Sequence, residues 1–283
     1  MNKMNHTTLK ISVILPNWNG AKHINKCLDS ILSQSYSNFE VLVVDAKSTD
    51  DSHQIIANYT LRDFRIRHVI DSEDNCLSNA VNIGIKNATG DYAIWIGGDD
   101  YFVDKEVFGD AVNFMLTYNN RIGQEGIIFY GGYVIDWVAS GVKEMRPKSN
   151  LDYHLMWMTD AIMCGNVFFN VPFCKQHTIQ LSPSCRYGMD YDLWLQIMSK
   201  FESRQQMTCI PDRYIHVFTQ SGQNITGGNM TASALEAMQI ALKYSGNNYA
   251  KKLGIYAFIG VQIAYQKLRD LFLSLQPKQA FVT

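Results

Sequence analysis

The chain has 283 residues, 47% of them hydrophobic and 18% charged, and its 25 basic and 26 acidic residues give a formal net charge of -1. This length suits one large domain or two small ones, and the apolar fraction excludes an intrinsically disordered chain. The near-zero net charge argues against a nucleic-acid partner, because neutralising phosphates requires a basic excess. Six cysteines without a C-x-x-C pair and a polar start without an apolar signal segment predict reduced thiols and a cytoplasmic location.

Four short apolar strands alternate with three helices over the first hundred residues. The strands are predicted at residues 11–16, 39–44, 65–70 and 91–96. The helices are predicted at residues 24–32, from a cap at Ser48 or Thr49 to residue 59, and at 78–87 with Gly90 as the C-terminal cap. Such alternation implies a mostly parallel, Rossmann-like α/β sheet with right-handed crossovers.

Polar side chains follow each predicted strand, at the edge where parallel sheets bind ligands. They are Asn17 and Asn19 after the first strand, Asp45 after the second, residues 71–74 after the third, and Asp99 and Asp100 after the fourth. Neither G-x-G-x-x-G nor G-x-x-x-x-G-K-S/T is present, which argues against a dinucleotide site or a P-loop. The rim is instead rich in carboxylate and amide oxygens.

The turn at residues 97–100 carries two adjacent carboxylates, Asp99 and Asp100, after a buried strand. Hard oxygen ligands suit Mg²⁺ or Mn²⁺, and such an ion bridges to substrate phosphates. The alternative is an ordinary surface turn, since Gly-Asp pairs are common in turns.

Several blocks resemble glycosyltransferase family 2, whose members have the GT-A fold. They are ISVILPNWN at 11–19, CLDSILSQSY at 27–36, FEVLVVDAKSTD at 39–50, NAVNIG at 79–84, ATGDY at 88–92 and YGMDYDLWL at 187–195. They occur in the family's order and cover about residues 9–220. The resemblance implies an inverting transfer of a sugar from a nucleotide-activated donor.

The resemblance also implies a donor site around the nucleotide. Its residues are Pro16, Asn17, Trp18, Asn19, Asp45, Asp74, Asn82 and Asp100. Among them, Asp45 corresponds to the carboxylate that recognises the base edge, and Trp18 stands where the family usually has Tyr.

Three further roles follow from the same resemblance. Asp99 corresponds to the last acid of the D-x-D motif that binds the metal, Mn²⁺ or Mg²⁺, and the donor diphosphate. His216 is a candidate third metal ligand, with a plain strand histidine as the alternative. Asp190 corresponds to the general base at the start of a helix, where the helix dipole favours its ionised form, and Asp192 is the alternative base.

Three positions depart from the family pattern. Gly97 replaces the first D-x-D acid, Ala46 replaces an Asp beside Asp45, and Met189 replaces a Glu before Asp190. These changes leave open an altered donor preference or a loss of catalysis.

We divide the chain into a GT-A domain at residues 1–226 and a helical extension at 227–283. Within the domain, residues 9–102 form the nucleotide-sugar-binding half and residues 103–226 the acceptor-binding half. The segment from Lys243 onward contains six basic residues and one acidic residue. Its apolar run at 253–265 is too short to span a bilayer. This segment fits either a helix packed on the domain or one lying on an anionic membrane surface.

The leading hypothesis is an inverting hexosyl- or N-acetylhexosaminyltransferase. It would move a sugar from a nucleotide-diphosphate sugar, a UDP-sugar favoured over a GDP-sugar, to a saccharide or lipid-linked saccharide in bacterial surface polysaccharide or O-antigen assembly. It would act in the cytoplasm, peripherally at the inner membrane face. Two alternatives stay open: a sugar-nucleotide-binding protein that has lost catalysis, and a nucleotidyltransferase on a related sheet.

Overall fold

The structure is a computed structural model that describes residues 8–70, 76–147, 162–220, 230–248, 251–257, 259–261 and 264. The strands are β1 (Ile11–Asn17), β2 (Phe39–Asp45), β3 (Ile66–Ile70), β4 (Tyr92–Trp95), β5 (Tyr101–Phe102), β6 (Ile128–Trp137), β7 (Val142–Arg146), β8 (Val167–Asn170) and β9 (Met207–Gln220). The helices are α1 (Ile24–Leu32), α2 (Ser52–Arg62), α3 (Leu77–Asn87), α4 (Val107–Ile122), α5 (Val171–Gln176), α6 (Met189–Met198) and α7 (Met230–Tyr244).

These strands form one mixed sheet in the order β3-β2-β1-β4-β8-β6-β9-β5, with β7 paired to the second half of β6. The first four strands in this order are parallel, whereas β8 runs antiparallel to both β4 and β6. The predicted α/β domain with a mostly parallel, Rossmann-like central sheet is therefore confirmed. The parallel strands end at one edge of the sheet, where the polar residues of the predicted site follow them.

Strand β1 is buried on both faces because helices cover the sheet from both sides. Side chains alternate along a strand, so Val13 and Leu15 join the cluster that contains α1 and α4, while Ile14 joins the cluster on the opposite face. Gly84 of α3 lies against Ile14, and a Cβ at this position would be 2.4 Å from Ile14 Cγ2. The glycine therefore allows α3 to pack closely on the sheet.

Two predicted helix caps are wrong. Helix α2 begins at Ser52 after Asp51, which makes no side-chain cap hydrogen bond, and the Ser48 hydroxyl instead donates to Asp45. Helix α3 ends at Asn87, as predicted, but its C-terminal cap is Ala88 rather than Gly90. Gly90 lies against the start of β1, where a Cβ would be 2.7 Å from the carbonyl oxygen of Lys10.

The apolar segment of the C-terminal extension is helical at residues 251–257 and 259–261 and packs on the domain. Ile255 and Ile259 are buried in the same cluster as α6, while Leu253 and Val261 are 72% and 70% exposed. Among the described residues, we find no helix with the length and apolar character needed to cross a membrane.

A buried carboxylate, Glu40, joins β1 and β2 to the turn before β4. Its Oε1 accepts hydrogen bonds from the Ser12 hydroxyl at 2.7 Å and from the Thr89 N–H and hydroxyl at 2.7 and 2.8 Å. The amino group of Lys10 lies 3.5 Å from Oε2. Burial opposes ionisation, but these donors and the Lys10 charge outweigh it and lower the pKa of Glu40.

Replacing Glu40 with Ala should reduce the free energy of unfolding by about 2–4 kcal/mol, because Ser12 and Thr89 lose a charged acceptor inside the fold. The pKa of Glu40 is lower in the folded state, so its stabilisation is complete above the unfolded value and is lost as pH falls through the folded value. Urea unfolding of both proteins at pH 7 and at decreasing acid pH measures this difference. The control Glu144→Ala, which removes an exposed ion pair with Arg146, should change stability by less than about 0.5 kcal/mol. Equal losses in the two variants would contradict the prediction.

Candidate active site

The ends of β1 and β2 hold a fixed carboxylate. Asn17 and Asp45 are register partners in adjacent parallel strands, and Asn17 Nδ2 donates to Asp45 Oδ2 at 2.6 Å. The Ser48 hydroxyl donates to the same oxygen at 2.7 Å, and the Ser48 N–H donates to Oδ1 at 2.8 Å. Asp45 is fully buried. The structure thus brings together two predicted site residues and fixes the orientation of one by the other.

The loops after β1 and β2 interlock around this pair. Asn19, in a left-handed backbone conformation with φ 50°, donates its N–H to the Ser48 hydroxyl and accepts the Thr49 N–H, both at 2.8 Å. Trp18 is 64% exposed at the rim, whereas Pro16 is buried. An exposed indole beside a rigid polar pair provides a face on which a planar ring can stack.

Two histidines lie beside Asp45 and were not predicted from the sequence. His53 of α2 has its Nε2 3.4 Å from Asp45 Oδ1. The centroids of the His53 and His68 rings are 5.4 Å apart. Each of the three residues offers one potential ligand atom, and these atoms all lie within 4.8 Å of one another. Burial lowers the pKa of His68, Asp45 raises it and His53 lowers it, with a net decrease.

A cavity of about 320 Å³ opens beside the end of β4. It is lined, among others, by Pro16, Asp99, Asp100, Arg186, Tyr187 and Asp190. The predicted metal ligand and the predicted base therefore face the same space although about ninety residues separate them. No role was predicted for Arg186 or Tyr187. Tyr187 is the first residue of the acidic motif that contains Asp190, and Arg186 directly precedes that motif.

The acidic turn after β4 combines one half-buried and one buried carboxylate. Asp100 accepts the Thr219 N–H at 2.8 Å. Burial, reinforced by the negative charge of Asp99, raises the pKa of Asp100 well above its usual range. A Cβ at Gly97 would be 2.9 Å from Asp99 Oδ1, so this glycine lets the two carboxylates fold back over the turn.

His216 of β9 lies behind this turn. Its Nε2 is 4.0 Å from Asp100 Oδ2, and its ring packs against Gly165, where a Cβ would be 2.6 Å from His216 Cδ2. Burial lowers the pKa of His216 to about 3, so the imidazole is neutral. Neither ring nitrogen has a hydrogen-bond partner within the part of the chain that the structure describes.

This donor set fits the divalent metal that the fold family implies. A neutral imidazole nitrogen that lacks a partner lies next to a buried carboxylate, with Asp99 on the same turn. Oxygen and imidazole ligands of this kind suit Mn²⁺ or Mg²⁺. Asp99, Asp100 and His216 would hold it. The predicted roles of Asp99 and His216 as metal ligands and of Asp100 in donor binding all stay predictions.

Asp190 lies in the first turn of α6, as the apolar spacing of this segment predicted. Its Oδ1 accepts the N–H of Tyr191 at 3.0 Å. Burial raises the pKa of Asp190 to about 6, and hydrogen bonds from backbone N–H groups oppose this shift. A carboxylate with a pKa near the pH of the cell is suited to accepting and releasing protons.

Helix α7 fixes the loop that precedes α6. Glu236 Oε1 accepts the N–H groups of Arg186, Tyr187 and Gly188 at 2.9, 2.8 and 2.9 Å. These three residues lead directly into the turn that carries Asp190. One side chain of the C-terminal extension therefore orients the backbone on which the predicted base is mounted.

Asp192, the alternative base, is occupied by structural contacts. Its Oδ1 accepts Lys243 Nζ at 3.0 Å and the Tyr244 hydroxyl at 2.9 Å, and its Oδ2 accepts Gln196 Nε2 at 2.7 Å. Because Asp192 is fully buried between α6 and α7, it joins these two helices and does not line the cavity.

One predicted donor residue, Asn82, lies apart from the others. The side-chain amide of Asn82 donates to the Leu181 carbonyl at 3.0 Å and accepts the Leu181 N–H at 2.8 Å. It lies in a separate depression of about 580 Å³ between α3 and α5, which none of the site carboxylates lines. Asp74 lies outside the described residues.

Sequence comparison identifies relatives of known type. Residues 12–174 match the family model described as Glycosyl transferase family 2. The chain is 31% identical over 259 residues to an uncharacterized glycosyltransferase of Haemophilus influenzae, with 90% of this chain and 94% of the relative covered. It is 30% identical over 214 residues to the Escherichia coli UDP-Glc:alpha-D-GlcNAc-diphosphoundecaprenol beta-1,3-glucosyltransferase WfaP, covering 75% of this chain and 78% of the relative.

Other relatives are longer than this chain. The match to an uncharacterized glycosyltransferase of Rickettsia prowazekii is 28% identical over 200 residues and covers 69% of this chain but 60% of the relative.

The fold recurs in solved structures. S. aureus TarS 1-349 in complex with UDP-GlcNAc superposes with a TM-score of 0.67 at 18% identity, covering 95% of this chain and 76% of TarS 1-349. The mannosyltransferase PcManGT from Pyrobaculum calidifontis superposes with a TM-score of 0.60 at 14% identity, covering 96% and 82% of the two chains. At these identities the likeness concerns the fold, and it agrees with the strand order and the family match. The chain belongs to glycosyl transferase family 2.

Proposed function

We propose that this protein is an inverting glycosyltransferase that moves a sugar from a UDP-sugar to a saccharide or lipid-linked saccharide. The observation that carries the proposal is the 320 Å³ cavity, in which Asp99 and Asp100 face Asp190. A departing diphosphate requires groups that neutralise its charge, and an attacking hydroxyl requires a base. The cavity offers carboxylates on two separate elements, which suits these two roles.

In this proposal the nucleotide binds along the ends of β1 and β2. The base stacks on Trp18, and the Asp45 carboxylate, held by Asn17, accepts an N–H from the edge of the base. A neutral pyrimidine such as uracil has a ring N–H for such an acceptor. TarS has been solved with UDP and with UDP-GlcNAc, and the WfaP name specifies a UDP-glucose donor, both of which support the choice of UDP over GDP.

The diphosphate then lies over the acidic turn. A divalent cation held by Asp99, Asp100 and His216 would supply positive charge to the leaving diphosphate. PcManGT, which has been solved with GDP-Man and Mn²⁺, supports a metal in this fold. Arg186, which is exposed and lines the same cavity, can pair with a phosphate oxygen.

Asp190 acts as the general base. It accepts the proton of the acceptor hydroxyl while the hydroxyl oxygen bonds to the anomeric carbon and the bond from that carbon to the diphosphate oxygen breaks. Attack occurs on the face opposite the leaving group, so the anomeric configuration inverts and a nucleoside diphosphate leaves. The elevated pKa of Asp190 makes it a stronger base than an exposed aspartate.

We place the donor half at residues 9–102, the acceptor half at 103–226 and the helical extension at 227–283. The WfaP name specifies a GlcNAc-diphosphoundecaprenol acceptor, which supports a lipid-linked acceptor and a role in surface polysaccharide assembly for this chain. Lys251 and Lys252 lie in the first turn of a helical segment whose Leu253 is exposed. This combination supports peripheral contact with an anionic membrane on the cytoplasmic side.

The proposal is tested by incubating the purified protein with UDP-Glc, UDP-GlcNAc or GDP-Man, with Mn²⁺ and a GlcNAc-diphospho-lipid acceptor. We expect acceptor-dependent release of UDP and a product with inverted configuration by NMR. Donor binding without turnover would instead identify a sugar-nucleotide-binding protein. Release of pyrophosphate would identify a nucleotidyltransferase.

The pH dependence of kcat/KM should follow the ionisation of Asp190. The general base must be unprotonated. The logarithm of kcat/KM should therefore rise with a slope of one below about pH 6 and reach a plateau above it. Initial rates from pH 4.5 to 8 with a constant Mn²⁺ concentration provide the measurement. A profile that is flat between pH 5 and 7 would contradict the role of Asp190 as base.

A further inference from the structure

We propose that Asp45, His53 and His68 form a second cation site, selective for a borderline divalent ion such as Zn²⁺, whose occupancy excludes the donor nucleotide. The cluster combines one carboxylate and two imidazoles, with one ligand atom from each within 4.8 Å of the others. Such a set of one oxygen and two nitrogen ligands suits Zn²⁺ better than Mg²⁺.

The carboxylate is already oriented for a ligand role. Asn17 and Ser48 bind Oδ2 of Asp45 at 2.6 and 2.7 Å, while Oδ1 faces His53 Nε2 at 3.4 Å. Neighbouring groups that hold a ligating carboxylate in this way raise the affinity of metal sites. The side chains that donate to this buried carboxylate are a neutral amide and a neutral hydroxyl, so a cation would compensate its charge.

Within the part of the chain that the structure describes, the His68 ring carries an unpaired nitrogen beside this carboxylate. Its Nε2 is buried and has no hydrogen-bond partner among the described residues. Buried polar atoms are normally paired, and an unpaired one requires an explanation such as a missing ion. His53 comes from a different element and is 40% exposed, so its ring can adjust to complete the coordination.

This site is distinct from the acidic turn. Strand β1 separates β2 from β4, so two strand spacings, about 10 Å, lie between Asp45 and the loop that carries Asp99. An ion at Asp45 would occupy the carboxylate that, in the proposed function, binds the base of the donor nucleotide. This consequence rests on the proposed function, whereas binding of the ion itself does not.

The test is a titration of the metal-free protein with Zn²⁺ against a chromogenic chelator, with Co²⁺ as a spectroscopic probe. We expect one Zn²⁺ bound per chain and a visible absorption spectrum of bound Co²⁺ that is typical of histidine nitrogen ligands. The affinity for Zn²⁺ should fall roughly tenfold or more in both His53→Ala and His68→Ala. His177→Ala, which removes a histidine packed on Phe173, is the matched control and should bind Zn²⁺ like the wild type. Circular dichroism checks that each variant is folded.

Two outcomes would overturn the proposal. Zn²⁺ binding that is unchanged in both histidine variants would exclude the cluster, and binding that is lost in Asp99→Ala but kept in His68→Ala would assign the ion to the acidic turn. A competition experiment then tests exclusion: UDP affinity should fall as Zn²⁺ is added to the wild type but not to His68→Ala. Zn²⁺ binding by a protein without transferase activity would refute the proposed function while leaving the metal site intact.

Discussion

Asp190→Asn should reduce kcat by about 10²–10⁴-fold, because the amide is nearly the same size as the carboxylate but cannot accept the hydroxyl proton. The variant should keep its affinity for the donor, since Asp190 lies on α6 and not on the strands that hold the nucleotide. Steady-state rates and donor titrations on the same preparation separate these two effects.

The control is Asp212→Asn, an exposed aspartate in a left-handed backbone conformation with φ 52° that Asn also tolerates. It should retain full activity. If Asp190→Asn keeps more than a third of the wild-type kcat, another group is the base. A loss of donor binding together with turnover would instead indicate a misfolded cavity.

Asp99→Ala should abolish the contribution of Mn²⁺ to nucleotide binding. In the wild type, UDP at 100 times its dissociation constant adds about 2.7 kcal/mol of stability, which corresponds to a rise in Tm of roughly 5–10 °C for a chain of this size. Mn²⁺ should increase this shift in the wild type and leave it unchanged in Asp99→Ala. Thermal unfolding with UDP, with and without Mn²⁺, provides the measurement. The rate of sugar transfer should fall about 10²-fold in Asp99→Ala.

Asp104→Ala is a suitable comparison, because Asp104 pairs with Arg213 outside the cavity. It should respond to Mn²⁺ like the wild type. A Mn²⁺ effect that persists in Asp99→Ala would remove this residue from the metal site. A UDP shift that is indifferent to Mn²⁺ in the wild type would remove the metal from the mechanism.

Strands β1 and β2 could be predicted from the sequence because they are buried on both faces and therefore appear as continuous apolar runs. Residues 11–16 and 39–44 illustrate this, and both strands extend by one residue in the structure, to Asn17 and Asp45. Parallel pairing then places their last residues side by side, so the Asn17–Asp45 contact follows from topology.

Other features depend on contacts between distant segments. Ser48 has the chemistry of a helix cap, but its hydroxyl bonds to Asp45, and a tertiary contact thus replaces a local one. Nothing in the sequence shows that His53 and His68 meet, because one is on a helix and the other on a strand with ordinary spacing. The depression that holds Asn82 likewise depends on how the segment at Leu181 packs against α3.

The hydrogen bonds between Glu236 and the loop before Asp190 affect the order in which parts of the proposed active site form during synthesis. Translation is vectorial, so the strands that end at Asn17 and Asp45 emerge well before Glu236 is added. At about 5–20 residues per second, synthesis from residue 102 to Glu236 takes about 7–27 seconds. Under the proposed mechanism, a nascent chain can form its nucleotide pocket in that interval. The loop that carries the general base, Asp190, still lacks its hydrogen bonds to Glu236 at that stage. Recognition of the donor and transfer of the sugar would then mature at different times.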